Sequence, residues 1–337
     1  MRCGLFRRVA IGAFALFAEW GFAADLSCFS AAYQQAEATH VLRGEGDWFY
    51  PAAELRFLSL GRFWGEAALD TGAAKNPAHR DPLEPIDDFN RQLADLGVRL
   101  LVVPVPPKAL IYPTPLGCSR ADSLAALAAL REFYEVLRDH GIAALDLTED
   151  YLRPEALAEG KLFCRTDSRW SGIGVERAAA RIFDWLSAQD GLVTAGSNRW
   201  ETARLAQRRV GDLARQLRIV DEEEVELISV GSAGEALTYS RSSPVLVLGD
   251  ENVLAFHAEG ESPVNAGLSD HLARLLGSPV DLIGVTGSGA TASRIALMRE
   301  MNAVPDYIKG KKVVIWCFSA SEFTQADVWR FVPLPLH

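Results

Sequence analysis

Short apolar runs bounded by polar turns, most of them following a stretch with helical periodicity, most constrain this chain. Arg99-Leu100-Leu101-Val102-Val103-Pro104-Val105 is such a run, and so are Ile142 to Leu147, Pro244 to Gly249, Val280 to Val285 and Lys312 to Phe318. A continuous run of about six apolar residues suits a strand buried on both faces, as in a parallel sheet covered by helices. Between the runs, apolar residues recur at helical spacing. Ile86, Phe89, Leu93 and Leu96 precede Gly97. Leu127, Leu130, Tyr134 and Leu137 mark a helix from about 124 to 139, and Val175, Ile182, Phe183 and Leu186 one from about 174 to 188. Further helices are expected near 29–38, 267–277 and 291–302. Alternating strands and helices predict an α/β fold with a mostly parallel sheet in the middle of three layers. No flexible linker interrupts the pattern, so residues 24–337 read as one domain. It carries an N-terminal decoration and a second over 190–242, where the sequence is more polar and less periodic.

The first residues read differently. Arg2, Arg7 and Arg8 precede the apolar run Val9 to Phe17, and Gly21-Phe22-Ala23 supplies small residues at a cleavage position. This is the pattern of a secretory signal over residues 1–23, and it places the mature chain in the periplasm, with an uncleaved N-terminal anchor as the alternative. In an oxidising compartment Cys28, Cys118, Cys164 and Cys317 allow two bridges in three pairings. Cys317 falls inside an apolar run and is expected to stay a buried thiol. Cys28 is then expected to pair with Cys164 or Cys118. The formal net charge of −10 argues against nucleic acid as a partner, because phosphate binding needs clustered Lys and Arg.

Ligands of open α/β sheets bind beyond the carboxyl ends of the strands. Three segments there carry chemistry. Gly249-Asp250-Glu251-Asn252 follows one strand, and Thr286-Gly287-Ser288-Gly289 follows another. Thr166-Asp167-Ser168-Arg169-Trp170-Ser171-Gly172 precedes a helix. Backbone amides at Gly249, Asp250, Gly287 and Gly289 are candidates for holding an oxyanion.

In this order the segments resemble the SGNH-hydrolase-like domain of alginate O-acetyltransferases of the AlgJ/AlgX type. Asp47-Trp48-Phe49-Tyr50 is similar to that family's Gly-Trp-Leu-Phe segment. Val103 to Lys108 with Tyr112-Pro113 is similar to its strand followed by Pro, Lys and Tyr-Pro. Asp167-Ser168-Arg169-Trp170 stands where the family has Asp-x-His-Trp, and Gly249-Asp250-Glu251 where it has Gly-Asp-Ser. The glycine turn with Arg294, and the closing strand from Lys312 to Trp316, complete the likeness over roughly residues 40–330.

The resemblance implies an SGNH-like three-layer sandwich, a serine–histidine–aspartate acyl-transfer site and no cofactor. It also implies an acidic exopolysaccharide such as alginate, and partner proteins of a polysaccharide-acetylation complex. Asp167 matches the aspartate, but Arg169 replaces the base and Glu251 the nucleophile. Arginine keeps its proton at neutral pH and cannot act as a general base. We therefore expect Glu251 and Arg169 to face each other as an ion pair, with Asp167 as third member. Lys108, Tyr112, Trp170 and Arg294 are the candidate substrate-binding residues, with Trp48 as a further stacking surface. His257 is an alternative base. Asp167, Asp250, Glu251 and His257 match no usual metal-ligand spacing. Three functions follow: a substituted, non-acylating member that binds polymer or partner, an acyltransferase or esterase working through altered residues, and a purely structural subunit.

Overall fold

The computed structural model describes residues 25–231, 238–259 and 262–335. The signal-like segment over residues 1–23 lies outside them. Helix α1 (Ser27–Ala36) leads into a small antiparallel hairpin of β1 (Val41–Arg43) and β2 (Phe49–Pro51), and α2 (Ala52–Ser59) follows. Helix α3 (Leu83–Asp95) then feeds β3 (Arg99–Val105), and α4 (Arg120–Asp139) feeds the two-residue β4 (Ala143–Ala144). After α5 (Gly172–Ser187) come the antiparallel strands β5 (Thr202–Val210) and β6 (Glu222–Val230). The chain ends with β7 (Val245–Gly249), a hairpin of β8 (Ala258–Glu259) and β9 (Ser262–Pro263), α6 (Leu268–Leu276), β10 (Asp281–Gly284), α7 (Ala292–Ala303) and β11 (Val313–Ser319).

Five of these strands form one all-parallel sheet in the order β10-β7-β11-β3-β4. All of β7 is buried, and so is β11 up to Phe318. On one face of β11, Trp316 meets Phe89 of α3 edge-on at 5.3 Å, and its indole N–H donates to Ser293 of α7. Phe318 continues that row against Phe323 and Trp329. Side chains alternate along a strand, so Ile315 and Cys317 turn to the other face.

Several expectations shift. Helix α4 starts at Arg120 because Ser119 and Asp122 form a capping box, the hydroxyl accepting from Asp122 N and the carboxylate from Ser119 N. The run Ile142 to Leu147 is strand only at Ala143 and Ala144, because the Asp146 carboxylate starts the next helical turn by accepting from Thr148 N. The polar stretch over 190–242 contains two nine-residue strands. Cys28 pairs with Cys118, while Cys164 and Cys317 are buried free thiols.

Candidate active site

The end of β7 sets the site. Gly249 packs so closely on the neighbouring strand that a Cβ there would lie 1.8 Å from the Cys317 carbonyl oxygen, which leaves room for glycine alone. Asp250 then caps the turn Glu251–Leu254, its Oδ1 accepting from Asn252 N at 2.8 Å. Its Oδ2 accepts from Ser319 N at 2.7 Å and ties the carboxyl ends of β7 and β11 together. The glycine turn after β10 closes on the same residue, since a Cβ on Gly289 would approach Asp250 Cβ to 2.6 Å. Glu251, where the resemblance expects the nucleophile, stands on the first residue of that helical turn.

These elements enclose a cavity of about 280 Å³, lined among others by Glu54, Asp250, Glu251, Ser319, Ser321 and Glu322. It is an acidic place. Burial pushes Asp250 up to about 7 despite its two amide donors. Burial, Asp250 and Asp212 push Glu251 up to about 6, with Arg169 opposing. Burial raises Glu54 to about 7 against the pull of Lys108, and burial also raises Glu322. Charged carboxylates lose water here without gaining enough partners.

The Asp167 loop is clamped from three sides. The Lys108 ammonium, wholly buried, donates to the carbonyls of Cys164, Arg165 and Asp167 at 3.1, 3.4 and 2.8 Å. Glu223 of β6 accepts from the amides of Arg165 and Thr166, both at 2.7 Å. Asp212, between β5 and β6, accepts from the amide and hydroxyl of Ser168. Residues 190–242 therefore hold the loop that carries Asp167. Trp170 is fully buried, its indole N–H donating to the Asn252 carbonyl at 3.2 Å, so it locks the loop against the turn after β7.

The expected ion pair between Glu251 and Arg169 does not form. Arg169 turns its fork back onto Asp167, Nε to Oδ1 and Nη2 to Oδ2, each at 2.7 Å. Asp167 is its only ion-pair partner among the described residues. Burial works against the charge on Asp167, yet Arg169, with Arg209 at 3.7 Å, holds this carboxyl well below its usual range. A closed two-point fork returns more than a monodentate reach to Glu251.

Other candidates fall elsewhere. Lys108 presents no free ammonium to a ligand. Arg294 is fully buried, donating to the carbonyls of Ala290 and Pro85 and to Thr291 Oγ1, with its guanidinium over Trp316 and Trp329. Tyr112 packs at 4.4 Å against Trp48 with the rings tilted by 31°, and its hydroxyl accepts from Leu162 N. Gly287 lines the cavity, and Glu322 at its far side accepts from Ser288 Oγ and Ala290 N of the same turn. His257 faces Asp270, with Nδ1 3.0 Å from Oδ2, and Asp270 also accepts from Gly267 N and Thr238 Oγ1. Sequence reasoning missed Glu54, Arg209, Asp212, Glu223, Ser319 and Glu322. Of these only Ser319 and Glu322 had a signal, standing just beyond a strand's carboxyl end.

Comparison with known proteins agrees with this architecture. A family model described as an SGNH hydrolase-like domain, acetyltransferase AlgX, matches residues 41–320. The probable alginate O-acetylase AlgJ of Pseudomonas syringae pv. tomato is 25% identical over 191 residues, 51% of this chain and 48% of that protein. The chain thus spans about half the length of that curated relative. Its counterpart in Pseudomonas aeruginosa is 35% identical over 92 residues, 27% of this chain and 23% of that protein. Among solved structures, the O-acetyltransferase domain of Pseudomonas putida AlgJ has a TM-score of 0.60 at 20% identity, covering 84% of this chain and 92% of that one. Pseudomonas aeruginosa AlgX has a TM-score of 0.61 at 16% identity, covering 91% and 68%. These two likenesses carry the fold, and the family match over most of the length carries membership: the chain belongs to the AlgX family of SGNH hydrolase-like acetyltransferase domains.

Proposed function

We propose that this chain is a non-acylating member of its family, working in the periplasm in the O-acetylation of an acidic exopolysaccharide such as alginate, where it binds polymer or a partner protein and transfers no acetyl group. One observation carries the reading. The aspartate that would orient a base is closed on Arg169, and the position of the nucleophile holds Glu251. A serine hydroxyl attacks an acyl carbon only when a neighbouring base takes its proton, and neither partner of that transfer is present. Arg165, Arg169 and Arg209 are partly exposed and each is paired with an aspartate, so a polyanion binds there by exchanging with those carboxylates. The cavity beside them, lined by carboxyls, does not suit one. The Cys28–Cys118 bridge supports an oxidising compartment.

Hydrolysis of a chromogenic acetyl ester tests the reading, with the natural chain run beside the double variant Glu251→Ser with Arg169→His. Silence in the natural chain and turnover in the variant is expected. Turnover in the natural chain that disappears in Glu251→Gln overturns the proposal and assigns Glu251 as a carboxylate nucleophile. Binding of oligomeric alginate to the natural chain then separates a polymer-binding role from a partner-binding one.

A further inference from the structure

Strand β5 is the outer strand of a two-stranded ribbon. Its partner β6 is covered beyond the ribbon, where Val230 N donates to the Asn265 carbonyl and Gly172 packs on the Glu226 carbonyl so closely that a Cβ would lie 2.4 Å away. The other edge of β5 has no strand beside it among the described residues. The bond from Gly231 N to the Glu201 carbonyl sets the phase of the ladder. Opposite pairs in an antiparallel ribbon alternate between bonded and non-bonded. The amides of Ala203 and Leu205 therefore face β6, and those of Thr202, Arg204, Ala206 and Arg208 face outward.

Natural edge strands are usually blunted by shortness, proline, a bulge or charged side chains. Of these β5 has only the charges, Arg204 and Arg208. It runs for nine residues in unbroken one-to-one register and contains no proline. Residues Thr202 to Ala206 are exposed, including Leu205. On the outer face Arg204 and Arg208, about three-quarters exposed, flank Ala206. They pair with Glu226 and Glu224 of β6 across solvent, and such surface pairs exchange at little cost.

We infer that the open edge of β5 is a docking strand for an extended, acidic segment of a partner protein, added to the ribbon as a third antiparallel strand. Main-chain bonds to Arg204, Ala206 and Arg208 supply the affinity, and alternate carboxylates opposite Arg204 and Arg208 set the choice of partner. A second copy of this chain fits poorly. Antiparallel pairing of two β5 strands centred on Ala206 places Arg204 opposite Arg208, and a shift by two residues leaves the two diagonal. The docking does not depend on the proposed binding of polysaccharide. It does lie next to the site, because Arg209 on the same strand reaches Asp167.

The test uses the full mature chain and a dye-labelled, end-capped peptide of alternating Glu and Val, with a Lys–Val peptide as the opposite charge. Fluorescence anisotropy reads binding, and amide hydrogen exchange reads the edge. The Glu–Val peptide is expected to protect the amides of Arg204, Ala206 and Arg208 and to bind more weakly as salt rises. Ala206→Pro removes an outward donor that β6 does not use, so it should weaken binding about tenfold at unchanged melting temperature. Arg204→Gln with Arg208→Gln keeps the backbone edge intact and should also lower affinity. Equal binding of the Lys–Val peptide, or no protection of these amides at saturation, overturns the proposal. So does concentration-dependent dimerisation that Ala206→Pro abolishes, which would give the edge to a second copy.

Discussion

Arg169 Nε and Nη2 each lie 2.7 Å from a different carboxylate oxygen of Asp167, two residues earlier in the chain. In a serine acyl-transfer site that carboxylate would hold an imidazole in register. Here both oxygens are filled by a guanidinium that keeps its proton, so the aspartate has nothing left to orient.

Removing Arg169 should therefore cost stability. Arg169→Met leaves the buried Asp167 carboxylate with Arg209 at 3.7 Å as its remaining ion-pair partner, a loss of ~3 kcal/mol by analogy with other broken buried pairs. Urea denaturation at pH 7 should show an earlier midpoint with an unchanged slope.

Glu251 should behave in the opposite sense. It has no cation within ion-pair distance among the described residues, and its carboxyl titrates at about 6 in the folded chain. Glu251→Gln should stabilise the protein by ~1 kcal/mol at pH 8, allowing for solvent screening, and do almost nothing below about pH 4, under the unfolded value of 4.5. A lower melting temperature at pH 8 would count against an uncompensated carboxylate.

The same sign governs the whole cavity. Asp250 and Glu54, both titrating at about 7, lie above their unfolded values of 3.8 and 4.5. Between those limits the folded state binds more protons, so their contribution is full only below about pH 3.8 and is lost as pH rises through 7. His257, raised by Asp270 against the effect of burial, adds in the same direction. Asp167 is depressed and acts oppositely, its contribution being lost only as pH falls below about 4. Melting temperature should peak near pH 4 and drop by roughly 5 °C at pH 8, and Asp250→Asn should flatten that slope.

Lys108 links the two halves of the site. Lys108→Met strands the carbonyls of Cys164 and Asp167 and deprives Glu54 of the cation that opposes its burial. The cost should be ~3–5 kcal/mol, with faster amide exchange at Ser168 and Arg169.

The bridge between Cys28 and Cys118 closes a separation of 90 residues. Reducing it should lower stability by up to ~4 kcal/mol. Cys164 and Cys317 are both buried and should stay unreactive to a thiol reagent until the chain unfolds.

The sequence by itself determined the strands and helices of the sheet. A run such as Val245 to Gly249 has no polar face to offer water, and its glycine announces the tight turn that carries Asp250. The chain's resemblance to a family also implied catalytic positions at Asp167, Arg169 and Glu251. Tertiary structure alone decided where the long charged side chains went. Arg169 had two carboxylates to choose from, and the loop geometry gave it to Asp167. Lys108 and Arg294 are anchored by carbonyls up to 59 and 209 positions away in the chain, a distance that local pattern does not span. β5 escaped notice for a related reason. Exposed on both faces over most of its length, it has no buried side to impose the alternation of apolar and polar residues by which a half-buried strand is recognised.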